Sequence, residues 1–162
     1  LIQEQINRGR CSQAVRTLEL LFAYLKNMPF FSTASGANAE TSFVHHTLLI
    51  GNEPTERELL AGLLRIHGFA VSTSDVERAI DQLEQIVPAV VVFDLKQTDV
   101  FRERVLETLP PHPGLLRARV TVLREPGDDA SFVQLLSPDC VFEKPFDPQD
   151  LIREVRQEIG AR

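Results

Sequence analysis

Five consecutive apolar residues, Ala89-Val-Val-Val-Phe93, stop on an aspartate, Asp94. A short β-branched run with no polar alternation needs cover on both faces, which is the demand of a central strand in a parallel sheet. Parallel strands need long crossovers, and the flanking sequence supplies helical ones. Thr47 to Ile50 reads as a strand ending at Gly51, and Pro54 to His67 as a helix with Leu59, Leu60, Leu63, Leu64 and Ile66 inward, closed by Gly68. Phe69 to Thr73 reads as a strand, and Asp75 caps a helix to Val87. A third helix over Asp99 to Leu109 is broken by Pro110-Pro-His-Pro-Gly114. Arg119 to Leu123 and Cys140 to Phe142 read as strands, Asp128 to Leu136 as a short helix and Pro148 to Ile159 as a closing amphipathic helix. Strict alternation of strand and helix predicts an α/β fold with right-handed crossovers and helices on both faces. A five-stranded parallel sheet in the flavodoxin-like order 2-1-3-4-5 is the expected solution.

The sequence ahead of this unit is different in kind. Residues 1–31 read as a helical segment, in which Val15, Leu18, Leu21, Phe22, Leu25 and Met28 recur at helical spacing between Ser12 and Pro29. This helix either packs on its own or a neighbouring domain or serves as a dimerising or signalling helix. Residues 32–46, small and polar, read as a flexible linker, and 47–162 as the α/β domain. The first 46 residues carry a balance of +1, which leaves −7 for the remainder of a chain whose formal charge is −6. That balance argues against a phosphate-gripping nucleic-acid surface. No apolar run approaches the roughly 18 to 20 residues of a membrane span. No signal peptide opens the chain, which begins at Leu1 and reads as a piece of a longer protein. Cys11 and Cys140 form neither a disulfide framework nor a zinc motif, which fits the reducing cytoplasm.

In an open parallel sheet, function gathers beyond the carboxyl ends of the strands. That rim is predicted to hold Gly51, Asn52 and Glu53, then Asp94, Arg124, and Lys144-Pro145. Three of these segments resemble bacterial response-regulator receiver domains. Leu48-Leu-Ile-Gly-Asn-Glu-Pro54 is similar to their first strand and acidic turn, Pro88-Ala-Val-Val-Val-Phe-Asp-Leu95 to their phosphoacceptor strand, and Phe142-Glu-Lys-Pro-Phe146 to their Lys-Pro turn, where the peptide is usually cis. The resemblance spans residues 47 to about 160. It implies that Asp94 would accept a phosphoryl group from a histidine kinase. It implies Mg²⁺ held by Asp94, an acid of the first turn and the backbone carbonyl of Lys96, with Lys144 contacting the phosphate.

The chain departs from that pattern. The acidic pair falls on Gly51 and Asn52, with Glu53 one position along. The switch hydroxyl falls on Arg124, the aromatic of the fifth strand on Val141, and the proline after the phosphoacceptor on Thr98. With Asp94, Asn52 and the Lys96 backbone as its ligands, Mg²⁺ is expected to bind weakly if at all, and no other cofactor is implied. Asp94 then reads as a structural anion paired with Lys144. Arg124 is either a solvated strand-end residue or a permanent counter-ion of Asp94, and Lys96 offers the same two readings. The expectation is a degenerate, non-enzymatic pseudo-receiver that works by protein–protein contact through its fourth helix, fifth strand and fifth helix, with Phe132, Val133, Leu135, Leu136, Leu151 and Ile152 on those helices. Its partner would be a signalling protein or a histidine kinase, with a homodimer as a further possibility. The alternatives are a working phosphoacceptor in a His-Asp phosphorelay, or a small enzyme or flavin binder on the same fold.

Overall fold

The computed structural model describes residues 46–94, 96, 103–105, 107, 109 and 112–160. The predicted N-terminal helix, nearly all of the linker and most of the predicted helix over Asp99 to Leu109 lie outside the described residues. Five parallel strands form one sheet in the order β2-β1-β3-β4-β5. They are β1 (His46–Gly51), β2 (Ala70–Ser74), β3 (Val90–Asp94), β4 (Arg119–Arg124) and β5 (Cys140–Glu143). The described helices are α1 (Pro54–Ile66), α2 (Val76–Ile86), α3 (Pro113–Arg117), α4 (Ala130–Leu135) and α5 (Pro148–Gly160). The predicted architecture and strand order are those observed.

The period-2 alternation of the strands sorts the core into two layers. Leu48, Ile50, Val91, Phe93, Val120 and Val122 face one side, where Val76, Ala79 and Leu83 of α2, Leu115 of α3, and Phe132 and Val133 of α4 pack on them. Leu49, Val90, Val92 and Leu123 face the other, covered by Leu60, Ala61, Leu63 and Leu64 of α1 and Leu151, Ile152 and Val155 of α5. Every residue of β3 is buried, as the unbroken apolar run requires.

Three local readings are corrected by the structure. His46 belongs to β1 and not to the linker, and its Nε2 lies 2.7 Å from the Ser72 hydroxyl of the neighbouring strand. Ile66 is not inward: it is 47% exposed at the last position of α1, where the helix has turned past the sheet. The proline-rich segment both breaks the chain and starts a helix. Pro113 occupies the first turn of α3, where its missing N–H costs nothing, and His112 caps the helix by accepting the Gly114 N–H on Nδ1 at 3.1 Å. Gly68 does take the left-handed conformation (φ +88°) that closes α1.

Asp75 caps α2 through its carboxylate, which accepts the Arg78 N–H at 2.9 Å. Asp75→Ala is expected to lower stability by about 1 kcal/mol, measured by urea unfolding, with an unchanged m-value.

Candidate functional site at the carboxyl rim

The sheet order reverses between β1 and β3, and the register pairs Gly51 with Asp94 at that point. Because all strands are parallel, Gly51, Asp94, Arg124 and Glu143 arrive at one rim. The turn after β5 adds Lys144, whose peptide to Pro145 is cis, as the resemblance implies.

Asp94 and Lys144 are each only 4% exposed, and Asp94 Oδ1 lies 2.5 Å from Lys144 Nζ. Two further carboxylates, absent from the sequence-based site, share this ammonium. Glu56, in the first turn of α1, places Oε2 at 3.3 Å, and Glu125, just after β4, places Oε1 at 3.2 Å. Glu56 also holds a second cation, with Oε1 3.1 Å from Lys96 Nζ. The rim is thus a chain of alternating charge: Asp94, Lys144, Glu56, Lys96, with Glu125 joining at Lys144. Three carboxylates and two ammoniums leave a net charge of −1.

Burial raises the pKa of Asp94. The Lys144 ammonium opposes that shift, and the nearby Glu56 and Glu125 charges reinforce it. Lys144 is held protonated. Its burial disfavours the charge, but Asp94, Glu56 and Glu125 more than compensate. Burial would raise the pKa of Glu56 as well, yet Lys144 and Lys96 outweigh it and the pKa falls.

The remaining predicted positions have other partners. Arg124 is not a counter-ion of Asp94: its guanidinium pairs with Glu143, 2.5 Å away, across the register that sets the two residues side by side. Lys96 likewise pairs with Glu56. Asn52 forms a clip to the backbone of Lys96, its Nδ2 donating to the Lys96 carbonyl and its Oδ1 accepting the Lys96 N–H, both at 3.4 Å. Glu53 is exposed and makes no side-chain cap to α1. Val141 is 41% exposed on β5.

This donor set does not suit Mg²⁺. The ion wants several hard oxygens, with negative charge from one or two carboxylates. Gly51 has no side chain, and the Asn52 oxygen and the Lys96 carbonyl are bonded to each other's N–H groups. Among the described residues, no group of three or more His, Cys, Asp or Glu side chains is arranged to hold a metal. A Cβ on Gly51 would sit 3.1 Å from the Asp94 carbonyl oxygen, so an acid is harder to restore there than at Asn52.

Of the expected contact-face residues, Phe132, Val133, Leu136, Leu151 and Ile152 face the sheet and are buried, so they cannot form a partner surface. Leu135 remains outward, 50% exposed, and with Val141 is the apolar part of that face. Beside it a cavity of about 310 Å³ is lined by Arg124, Ala130, Val133, Gln134, Val141 and Glu143.

Lys144→Met is expected to cost about 3–5 kcal/mol, because it strands the buried Asp94 and takes a cation from Glu125 and Glu56. Asp94→Asn tests the raised pKa. A raised carboxylate binds its proton more tightly when folded, so its contribution falls as pH climbs from the ordinary value of 3.8 to the folded one. The melting temperature of Asp94→Asn should therefore gain on wild type across that window and hold the gain above it.

No family model and no curated protein matches this sequence. Solved structures do. The signal receiver domain of a signal transduction histidine kinase from Syntrophus aciditrophicus aligns at TM-score 0.60 and 19% identity, over 72% of this chain and 91% of that one. A putative response regulator from Chloroflexus aurantiacus aligns at TM-score 0.57 and 24% identity, over 73% and 98%. The chemotaxis protein CheY4 of Vibrio cholerae aligns at TM-score 0.58 and 16% identity, over 70% and 98%. With its strand order, its Asp94–Lys144 pair and its cis Lys-Pro turn, this chain has the fold of the response-regulator receiver domains.

Proposed function

We propose that the chain is a receiver-like signalling module of a bacterial two-component-type regulator, acting by protein–protein contact, with phosphorylation at Asp94 weakened or lost. The observation that carries this reading is the sharing of Lys144 among Asp94, Glu56 and Glu125. Phosphoryl transfer needs positive charge aimed at the oxygens of the moving group. Here the buried lysine already has three anions, and the turn that would bring a metal carries Gly51 and Asn52. A phosphoryl group would add charge to a rim that is already negative. The module binds and does not catalyse. Its partner is a signalling protein or a histidine kinase, and its workplace is the cytoplasm.

The contact face in this reading is formed by α4, β5 and the turn between β4 and α4. Leu135 and Val141 supply its apolar area, and the Arg124–Glu143 pair lies beside them. An arginine fixed to β5 replaces a small hydroxyl that could move between two positions, so this face is held in one arrangement.

The second reading, a working phosphoacceptor, is favoured by one observation. Asp94 and Lys144 stand in direct contact at the switch point of the sheet. The two readings separate by intact-mass measurement after incubation with Mg²⁺ and acetyl phosphate. Our reading predicts no adduct of about 80 Da under conditions that label an ordinary receiver. An adduct on wild type that Asp94→Asn abolishes would establish the second reading instead.

A further inference from the structure

The turn after β1 and the loop after β3 must be held together at this rim, since Asp94 sits between them. A divalent cation bridging the first-turn acid, Asp94 and the carbonyl two residues beyond it would hold them. Here protein groups join the same two segments. The Asn52 amide spans the gap with two hydrogen bonds to the Lys96 backbone. The Lys96 ammonium reaches Glu56 in the first turn of α1.

We propose that Asn52 and Lys96 together replace a divalent cation, the amide as the cross-link and the ammonium as the positive charge, so that the rim is closed without metal. This deepens the reading of a rim with weakened phosphorylation and rests on it. Three features support it. The two oxygens that a cation would draw from these segments, the Asn52 Oδ1 and the Lys96 carbonyl, each already accept a hydrogen bond from the other residue's N–H. Each carboxylate oxygen of Glu56 faces an ammonium, Lys96 on one side and Lys144 on the other. A dication entering here would also have to compete with the ammoniums of Lys96 and Lys144 for carboxylates that already face them. Glu56 is the pivot, because it neutralises the cation of the loop and the cation of the β5 turn at once.

The test is a Mn²⁺ titration of the full chain followed by water-proton relaxation, with melting temperature against MgCl₂ as a second readout. Wild type should show no saturable site and no Mg²⁺-dependent shift in melting. Asn52→Asp/Lys96→Met supplies the missing carboxylate and removes the resident cation. It should bind Mn²⁺ at least about tenfold more tightly than wild type, melt higher with Mg²⁺, and lose both effects when Asp94→Asn is added. Asn52→Asp alone, which leaves the ammonium in place, should gain less, and it serves if the double variant does not fold. A saturable wild-type site that Asp94→Asn removes would overturn the proposal. Folded Asn52→Asp variants that still bind no metal would also overturn it, since Asn52 and Lys96 would not be what excludes the ion. Metal binding by wild type without a phosphoryl adduct defeats this inference alone. An adduct formed only with Mg²⁺ defeats the proposed function as well.

Discussion

The contact between Asp94 and Lys144 is the constraint around which the rim is built. Two charges at 4% exposure need partners, which they have 2.5 Å apart, since a buried charge left without one carries a desolvation cost of several kcal/mol. One ammonium stands within ion-pair distance of three carboxylates: Asp94 from β3, Glu56 from α1 and Glu125 from the end of β4. The lysine therefore ties together elements that approach the rim from different parts of the chain. That arrangement surrounds the cation with negative charge on three sides.

A receiver fold built for phosphoryl transfer would need the opposite. Its rim would hold unspent positive charge and an anion free to attack. In this chain the positive charge is spent in the resting state. Lys144 is neutralised threefold, Lys96 is held by Glu56, and Arg124 is turned to Glu143. The Arg124–Glu143 pair links β4 to β5 where the register sets them opposite, beside the exposed Val141.

Most of the fold was legible in the sequence, because it depends on local pattern. The buried run Ala89 to Phe93 demands a two-faced sheet, and helical spacing on either side of it fixes the crossovers. Asp94 and Lys144 were readable because each follows a strand end. Glu56 and Glu125 were not, since an acid in a helix's first turn and an acid in a Pro-Gly turn look like ordinary solvated residues. The signal that could have found Glu56 is its place three residues beyond Glu53, one turn into a helix that starts at the rim. The partner of Arg124 was hidden for a different reason: it depends on the β4–β5 register, and one residue of slip would change it. Which apolar residues of the last two helices face outward was not legible, because burying both faces of the sheet draws most of them inward and leaves Leu135 exposed.

The most direct test of a saturated rim is to offer it a phosphoryl mimic that needs the same carboxylate, cation and metal. Fluorine NMR of the protein with beryllium fluoride and Mg²⁺ does this without a kinase or a turnover. A rim whose lysine is already shared by Asp94, Glu56 and Glu125 should show no protein-bound fluorine resonance. A bound resonance that disappears in Asp94→Asn would mean that Lys144 and Asp94 remain free to take up a phosphoryl group, and would contradict the account.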